Sequence, residues 1–538
     1  MEFAGIWILI WIALVLILTT LLFALNVSIT RWNVLIPTAI VLGWVAWITY
    51  HRRSTNTGWL GLVILLTTVV LSIALSGWFY DISWDGMDYH QKAVIRLEEG
   101  FNPIHQTAEP QQIYYNMWLN HYPKGPWIFE AGLYALTGNI ETGKGLHLIL
   151  MFSAFFVWLA VVLRSNWIAP WAGVWIAALL AFNPVSIYQS LSFYIDGLVS
   201  TSIVLLIGLM ISIYQNGNRF ELTGLASTVI IGLNIKFTGT AYIALFGLAL
   251  FLALWIAMKD ARKIRRIFIY LATSVLVGIL IVGFNPYVIN TVHYGHPLYP
   301  VYGSKSFNKD YIMGGGVLNF RNKSPVQKFL LATLSKTDDS AKFKYSFLKI
   351  PFQVSRTEIK ESGRTDVRFG GFGPWFSGAL VLSILGLEAA FIIDWRKAGL
   401  MTLMLVLIGG SMILSDEYWW ARYAPQFWMV PVVVAALLLL LKPKLPQIMG
   451  IVLATVLTIN LIMVSGSFLV TNYKLTREID MKMVEISRSG KVYQFDLGPL
   501  TPWTVRFDKY HISYIIVPAG TKLSSPKQFI SFFYQPLN

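Results

Sequence analysis

Apolar stretches of membrane-spanning length alternate along the chain with short polar connections and with three longer polar segments. The hydrocarbon core of a bilayer is about 30 Å thick, so a spanning helix needs about 20 mostly apolar residues. By this criterion the hydropathy pattern predicts about 13 spans. They lie near residues 3–25, 34–50, 58–79, 146–163, 168–185, 198–214, 223–237, 239–257, 267–289, 376–393, 399–414, 424–441 and 448–470. We therefore expect an all-α polytopic membrane protein.

The three longer segments are the first large loop (80–145), the second large loop (291–375) and the C-terminal segment (471–538). The apolar run from Tyr514 to Pro518 predicts a strand, and together with 486–498 it indicates a small α/β cap. The chain is thus expected to consist of a transmembrane module, 1–470, that carries both large loops, followed by a separate C-terminal domain, 471–538.

Composition agrees with a membrane protein, since 56% of the residues are hydrophobic and only 13% are charged. Soluble domains carry about 25% charged residues, so an ordinary soluble enzyme is excluded. There are no cysteines, which excludes disulfides, zinc–thiolate sites and thiol nucleophiles.

The net charge of +15 could indicate a nucleic-acid partner, but much of it lies in the short connections after the even-numbered spans. These basic positions are His51 to Arg53, Arg164, Arg219, Lys259 to Arg266, Arg396 with Lys397, and Lys442 with Lys444. Basic residues mark the cytoplasmic side. We expect a cytoplasmic N-terminus, large loops and a C-terminus on the outer side, membrane lipids as surroundings, and no nucleic-acid partner.

An acidic cluster follows the third span. Asp81, Asp85 and Asp88 stand at i, i+4 and i+7, with His90 beside them. Carboxylates this close repel one another, so they need a cation, hydrogen-bond donors, or a role as a base of raised pKa. A solvated helix end is the alternative interpretation for a single Asp, whereas three with an adjacent His favour a functional site.

A site on the outer face has no ATP or nucleotide sugar at hand, so group transfer there needs a donor that crosses the bilayer. Polyprenyl-phosphate-linked sugars are such donors, and their leaving phosphate is already stable as an anion. The enzyme then needs a base for the acceptor hydroxyl and cations for the phosphate. Asp residues with separate Arg and Lys groups meet that need.

The stretch from Trp84 to His90 resembles the first-loop acidic motif of bacterial GT-C-fold glycosyltransferases, the superfamily of the protein O-mannosyltransferases and the lipid A aminoarabinose transferase. Further stretches are similar in the same order, and the resemblance covers roughly 75–445. They are His121 to Pro126, Ser192 to Gly197, Asn234 to Gly239, Asn285 to Tyr287, Tyr294 to Pro300, Phe369 to Pro374 and Trp419 to Tyr423.

The resemblance implies a GT-C-like helical bundle in the bacterial inner membrane. It also implies an inverting transferase that moves a sugar from a polyprenyl-phosphate donor to a lipid, glycan or polymer acceptor, with a first-loop Asp as general base. The doubled Asp-Glu pair of the O-mannosyltransferases is absent here, so both Asp85 and Asp88 stay open. Our preference is Asp88 as base with Asp85 in support.

Six further residues are candidates for substrate binding, each with a simpler alternative. Asp196 could N-cap a helix, Lys236 could reach toward the interface, and Arg422 could belong to an ordinary aromatic belt. Arg422 also offers bidentate phosphate geometry, and an interfacial carboxylate such as Asp196 is a functional candidate. Lys124, in a rigid turn, could hold phosphate or be solvated. Asp81 and His90 complete the set.

Asp85, Asp88 and His90 could instead bind a divalent cation, because their oxygen and nitrogen ligands suit Mg²⁺ or Mn²⁺. Some GT-C enzymes need a metal and others do not, so the expectation is either no cofactor or one such ion.

Two other functions remain open. An O-antigen ligase or polymerase would also use lipid-linked sugars on the outer face, with Arg- and His-led chemistry in a late loop. A lipid-linked-sugar flippase or transporter would place its acidic groups near the bilayer midplane, whereas here they concentrate at one interface.

Overall fold

The structure is a computed structural model that describes residues 2–51, 55–111, 113–165, 168–307, 320, 322–338 and 348–537. The chain is mostly helical, with a small sheet near its C-terminus. Among the described residues, ten helices are long and apolar enough to cross a membrane. They are Glu2–Ala24, Trp32–His51, Gly58–Trp78, Ile140–Ser165, Asp196–Gln215, Phe237–Ala257, Ala261–Val282, Phe376–Ile393, Trp395–Leu414 and Lys444–Arg488.

The other three predicted spans correspond to shorter helices. The stretch 168–185 forms Pro170–Ala181 and then a separate short helix, Pro184–Gln189. The stretch 223–237 forms Arg219–Leu233, and 424–441 forms Met429–Leu440 after a 3₁₀ turn. Pro184, at the start of a new helix, explains the division of 168–185, because proline suits the first helical turn and interrupts a helix interior. The structure thus supports ten candidate spans where the sequence predicted about 13.

The helix Asp196–Gln215 lies at the centre of the bundle and is more completely buried than the other nine candidate spans of the described chain. At its C-terminal end Ser212 donates to Glu2 (2.5 Å), and Arg164 pairs with Glu2 and Glu221. Twenty residues of helix rise about 30 Å. Glu2 and Asp196 therefore lie at opposite ends of the bundle.

The first large loop is folded rather than irregular. It contains a π-helical turn at Gly86–His90, helices Gln91–Glu98, Tyr114–His121 and Gly125–Thr137, and a 3₁₀ turn at Ile140–Lys144. The second large loop contains helices Ile289–Tyr294, Pro325–Leu334 and Arg356–Glu361 within its described parts.

The last long helix, Lys444–Arg488, has 45 residues and passes without interruption through the predicted domain boundary at 470. At 1.5 Å per residue it is about 67 Å long, roughly twice the thickness of a hydrocarbon core. Its C-terminal part carries a four-stranded sheet in the order β2-β1-β4-β3, where β1 is Tyr493–Asp496, β2 Tyr514–Ile516, β3 Lys527–Phe529 and β4 Phe532–Pro536.

Strands β1 and β2 are parallel and are connected through the helix Trp503–Lys509, while β4 runs antiparallel to β1 and β3. The predicted strand at 514–518 and the small α/β cap are confirmed as a small helix-and-sheet unit. Its core is aromatic, built around Phe495, Trp503, Phe507 and Phe532.

Candidate functional site: carboxylates gathered by Arg422 and Lys236

Arg422 lies in the 3₁₀ turn Ala421–Tyr423 and draws together carboxylates from three distant parts of the chain. Its Nη1 is 3.0 Å from Asp85 Oδ2 and 3.7 Å from Asp196 Oδ2, and its Nε is 3.4 Å from Asp366 Oδ1. The Arg422 side chain is only 8% exposed, whereas Asp85 is 25% and Asp366 22% exposed. Solvent therefore reaches this group through Asp85 and Asp366.

Lys236 supplies a second positive charge on the other side of Asp196. Its Nζ is 2.6 Å from Asp196 Oδ1. Lys236 lies in the short connection between the helices Arg219–Leu233 and Phe237–Ala257, where its backbone is extended. Its side chain reaches Asp196 at the start of the helix Asp196–Gln215. Gln189 donates to Asp196 Oδ2 and accepts from the backbone of Gly197, which fixes the carboxylate between the two cations. We call Asp85, Asp196, Lys236, Asp366 and Arg422 the charged cluster.

Aromatic rings surround the two cations. The Arg422 guanidinium lies 4.2 Å from the ring centre of Trp420, 4.8 Å from Tyr423 and 5.0 Å from Tyr194. Lys236 Nζ lies 4.3 Å from the Tyr423 ring. Ring faces attract cations, so these contacts hold both charges in place. Arg422 Nη2 also donates to Tyr423 Oη at 3.0 Å.

Asp85 reaches Arg422 because the chain breaks its helix just before it. The third spanning helix ends at Trp78, and helical structure resumes only at Trp84. The three acids therefore do not share one face of a continuous helix, although they remain local. The backbone N–H of Asp85 donates to Tyr194 Oη at 3.4 Å.

Asp88 lies beside the charged cluster rather than within it. Its carboxylate pairs with Lys92 Nζ at 3.3 Å, and both side chains are 14% exposed. Burial raises the pKa of Asp88, as does the charge of Asp85, while Lys92 opposes the rise. Asp88 is thus a carboxylate of increased basicity next to a carboxylate held by arginine.

Asp81 has a structural role, because its carboxylate is occupied by backbone hydrogen bonds. It is 3% exposed, and its carboxylate accepts from the backbone N–H groups of Ser83 (2.8 Å) and Phe193 (2.9 Å). This carboxylate joins the first large loop to the stretch that leads into Asp196.

His90 is also buried, and its Nδ1 accepts from Trp127 Nε1 at 2.7 Å. Burial lowers the pKa of His90 to about 3, so the ring is neutral at physiological pH.

Lys124 is separate from the charged cluster. It is 2% exposed, and its Nζ donates to Asn285 Oδ1 (2.6 Å), the Tyr122 carbonyl (2.9 Å) and the Asn120 carbonyl (3.4 Å). Burial lowers the pKa of Lys124. The next residue, Gly125, donates its backbone N–H to the Asn234 carbonyl at 2.9 Å, so this turn supports the connection that carries Lys236.

The predicted metal ligands do not form a coordination set. Within the described ranges, no group of three or more His, Cys, Asp or Glu side chains is arranged to hold a metal ion. Asp85 is paired with Arg422, Asp88 with Lys92, and His90 Nδ1 with Trp127. These donors do not fit a divalent cation as they stand.

The structure thus brings together Asp85, Asp196, Lys236 and Arg422 from the predicted set, with Asp88 adjacent. Asp366 was missed by the sequence analysis. It stands in the polar stretch Arg364 to Arg368, whose alternating charges are typical of solvated surface, and no local signal distinguishes it. Lys92, in the helix Gln91–Glu98, was also missed, because no local signal in the sequence distinguishes it from other surface lysines.

No protein-family model matches this chain, and comparison with curated proteins finds no match either.

Proposed function

We propose that this chain is an integral-membrane glycosyltransferase that uses a polyprenyl-phosphate-linked sugar on the outer face of the membrane. The proposal rests mainly on one observation, the placement of the buried Arg422 and the partly buried Lys236 beside Asp85 and Asp88. Transfer from a phosphate-linked sugar needs that combination of a base and cations at a membrane interface.

Arg422 is the group best suited to the donor phosphate. Its Nε lies 3.4 Å from Asp366 Oδ1, but none of the described residues gives it a well-aligned hydrogen bond, although the guanidinium is almost fully buried. A buried donor without a well-aligned acceptor is costly, and a phosphate oxygen would supply that hydrogen bond. Lys236 supplies the second charge, and its side chain remains 15% exposed.

Asp88 is our proposed base, with Asp85 in support. In the proposed reaction the Asp88 carboxylate takes the proton of the acceptor hydroxyl, whose oxygen bonds to the anomeric carbon. The bond from that carbon to the phosphate oxygen breaks, and polyprenyl phosphate leaves as an anion. Attack from the face opposite the leaving group inverts the anomeric configuration.

Purified protein in lipid nanodiscs, incubated with polyprenyl-phosphate sugar and an acceptor extract, tests this proposal. We expect release of polyprenyl phosphate together with labelled product. A requirement for a polyprenyl-diphosphate oligosaccharide would instead favour a ligase or polymerase. Movement of the lipid across vesicles without release would favour a flippase, and either outcome would overturn the proposal.

A further inference from the structure

Arg506 reaches from the C-terminal segment to the base of the acidic turn. It lies on the helix Trp503–Lys509 and is 2% exposed. Its Nη2 donates to the Asp81 backbone carbonyl at 2.6 Å and to Glu141 Oε1 at 2.7 Å. One buried guanidinium therefore connects two ends of the first large loop to the C-terminal segment.

Glu141 and Lys144 extend this connection. Glu141 Oε2 lies 2.6 Å from Lys144 Nζ and accepts from the Asp81 backbone N–H at 3.2 Å. Lys144 Nζ donates to the Phe79 carbonyl at 2.6 Å. Three buried charged side chains thus hold both backbone groups of Asp81 and the carbonyl of Phe79.

Apolar contacts also connect the first large loop to the C-terminal segment. Tyr80 and Met87 pack in the hydrophobic core of the C-terminal unit, together with Trp503 and Phe507. The Tyr80 hydroxyl also accepts from Lys509 Nζ at 2.8 Å. These contacts bracket Asp85, with Tyr80 before it and Met87 between it and Asp88.

We propose that Arg506 is a positioning residue, through which the C-terminal segment holds the turn carrying Asp85 and Asp88 against the charged cluster. This inference rests on the proposed transferase function. Without Arg506, Asp81 keeps its side-chain bonds, but its carbonyl loses the shorter of its two hydrogen bonds and keeps the one from Gln91 Nε2 at 3.2 Å. Glu141 then keeps Lys144 and the Asp81 N–H among the described residues. The turn would then shift relative to Arg422. Displacement of a catalytic group by about 1 Å can cost on the order of 10²-fold in rate.

The test compares Arg506→Met, Glu141→Gln and the double variant in the full-length protein. We expect each single variant to lower kcat roughly 10- to 100-fold, with little change in KM for the donor, because Arg422 and Lys236 are untouched. The double variant should lose little more than either single one, since both remove the same contact. Arg506→Lys should recover part of kcat, because it restores the charge beside Glu141.

Hydrogen–deuterium exchange of the peptide covering 79–90 provides a readout that needs no activity, and exchange should rise in Arg506→Met. Lys527→Met is the matched control, because it removes a positive charge from an exposed position of the same unit, outside the core that contains Tyr80 and Met87, and its kcat should stay near that of the unmodified chain. Unchanged kcat and exchange in Arg506→Met, or an equal loss of kcat in Lys527→Met, would overturn the positioning role. If the unmodified chain releases no polyprenyl phosphate, the proposed function fails, whereas the exchange data still decide whether Arg506 holds the segment.

Discussion

Asp85 and Asp88 stand three positions apart, yet their surroundings differ in a way that separates their roles. Asp85 pairs with the buried Arg422, whereas Asp88 pairs with the partly exposed Lys92. The raised pKa of Asp88, which comes from burial and from the charge of Asp85, suits a group that must accept a proton near neutral pH. This contrast supports the preference for Asp88 as base.

Replacement of Asp88 by Asn should abolish transfer, because an amide of the same shape cannot take the hydroxyl proton. Expression and membrane insertion should be unchanged. Release of polyprenyl phosphate by the purified variant is the measurement. Glu99→Gln is a suitable control, since Glu99 is a half-exposed carboxylate on the same loop that, among the described residues, pairs with the equally exposed Arg96. Full activity in Asp88→Asn would contradict the assignment.

Asp366 predicts a pH dependence of donor binding. Burial raises the pKa of Asp366 to about 6, with Arg422 opposing and Asp85 adding to the rise. Below that value the Asp366 carboxyl is neutral and leaves Arg422 Nε available to the phosphate, while above it the Asp366 anion competes for Nε. The proposed donor is a phosphodiester that would not titrate there, and the low pKa of His90, about 3, keeps that ring neutral throughout.

We therefore expect KM for the donor to rise several-fold as pH increases from about 5 to about 7. In Asp366→Asn this rise should be absent, and KM should stay at its low-pH value. Donor titrations at several pH values in both proteins are the measurement. An equal pH dependence in the two proteins would assign the effect to another group.

At the scale of elements, the interruption of helical structure between Trp78 and Trp84 determines which partners the acidic residues of the first large loop contact. A continuous helix would direct them along one face, whereas the observed turn leaves Asp81 as a structural anchor and sends Asp85 to Arg422. Gly86 permits the turn, because a Cβ there would lie 2.2 Å from Ser83 Oγ and 2.3 Å from Asp81 Oδ2.

Gly86→Ala should accordingly be disruptive. The Asp81 carboxylate cannot retreat without losing its bonds to Phe193 and Ser83, so the turn itself must move, at a cost of about 1–3 kcal/mol. We expect a lower unfolding temperature and at least a ~10-fold loss of kcat. Thermal unfolding and transfer assays measure both. Gly138→Ala is an instructive comparison for the steric argument, because a Cβ at that position would meet nothing within 4 Å, although its φ of +68° adds backbone strain of its own.

At the scale of the whole molecule, the bundle separates two ends. The charged cluster lies at the start of the helix Asp196–Gln215, and the N-terminal contacts of Glu2 with Arg164 lie at its end. The long helix Lys444–Arg488 carries the C-terminal unit to the end where the charged cluster lies, because Arg506 contacts the acidic turn there. This arrangement fits the topology expected from the basic loops.

Cysteine labelling tests the topology directly, since the natural chain contains no cysteine and gives no background. Lys522→Cys, on the exposed surface of the C-terminal unit, should react with a membrane-impermeant maleimide from outside intact cells. Arg262→Cys, exposed in the basic connection, should react only after permeabilisation. Labelling of both from the same side would overturn the predicted orientation.

Sequence reasoning located the membrane helices, the large loops and the C-terminal sheet, because each depends on local features. The length of an apolar run is set by the bilayer, and a strand or helix is specified by neighbouring residues. The count of 13 spans is not confirmed, because the helices at 168–185 and 424–441 are shorter than a full span. A new helix begins at Pro184 in the first stretch, and a 3₁₀ turn precedes the helix in the second. Such local changes of helix geometry hardly alter the mean hydropathy of an apolar run, so the sequence pattern does not reveal them.

The candidate site was predictable in its residue types but not in its contacts. The sequence by itself determined that acids, a lysine and an arginine occur near the ends of apolar helices, since charged groups are excluded from hydrocarbon. Only the tertiary structure decided that Asp85 pairs with Arg422 across 337 positions and that Arg506 reaches Glu141 across 365. Such pairings depend on how the helices pack and on the need of each buried charge for a partner. Neither can be predicted from the local pattern of apolar and polar residues.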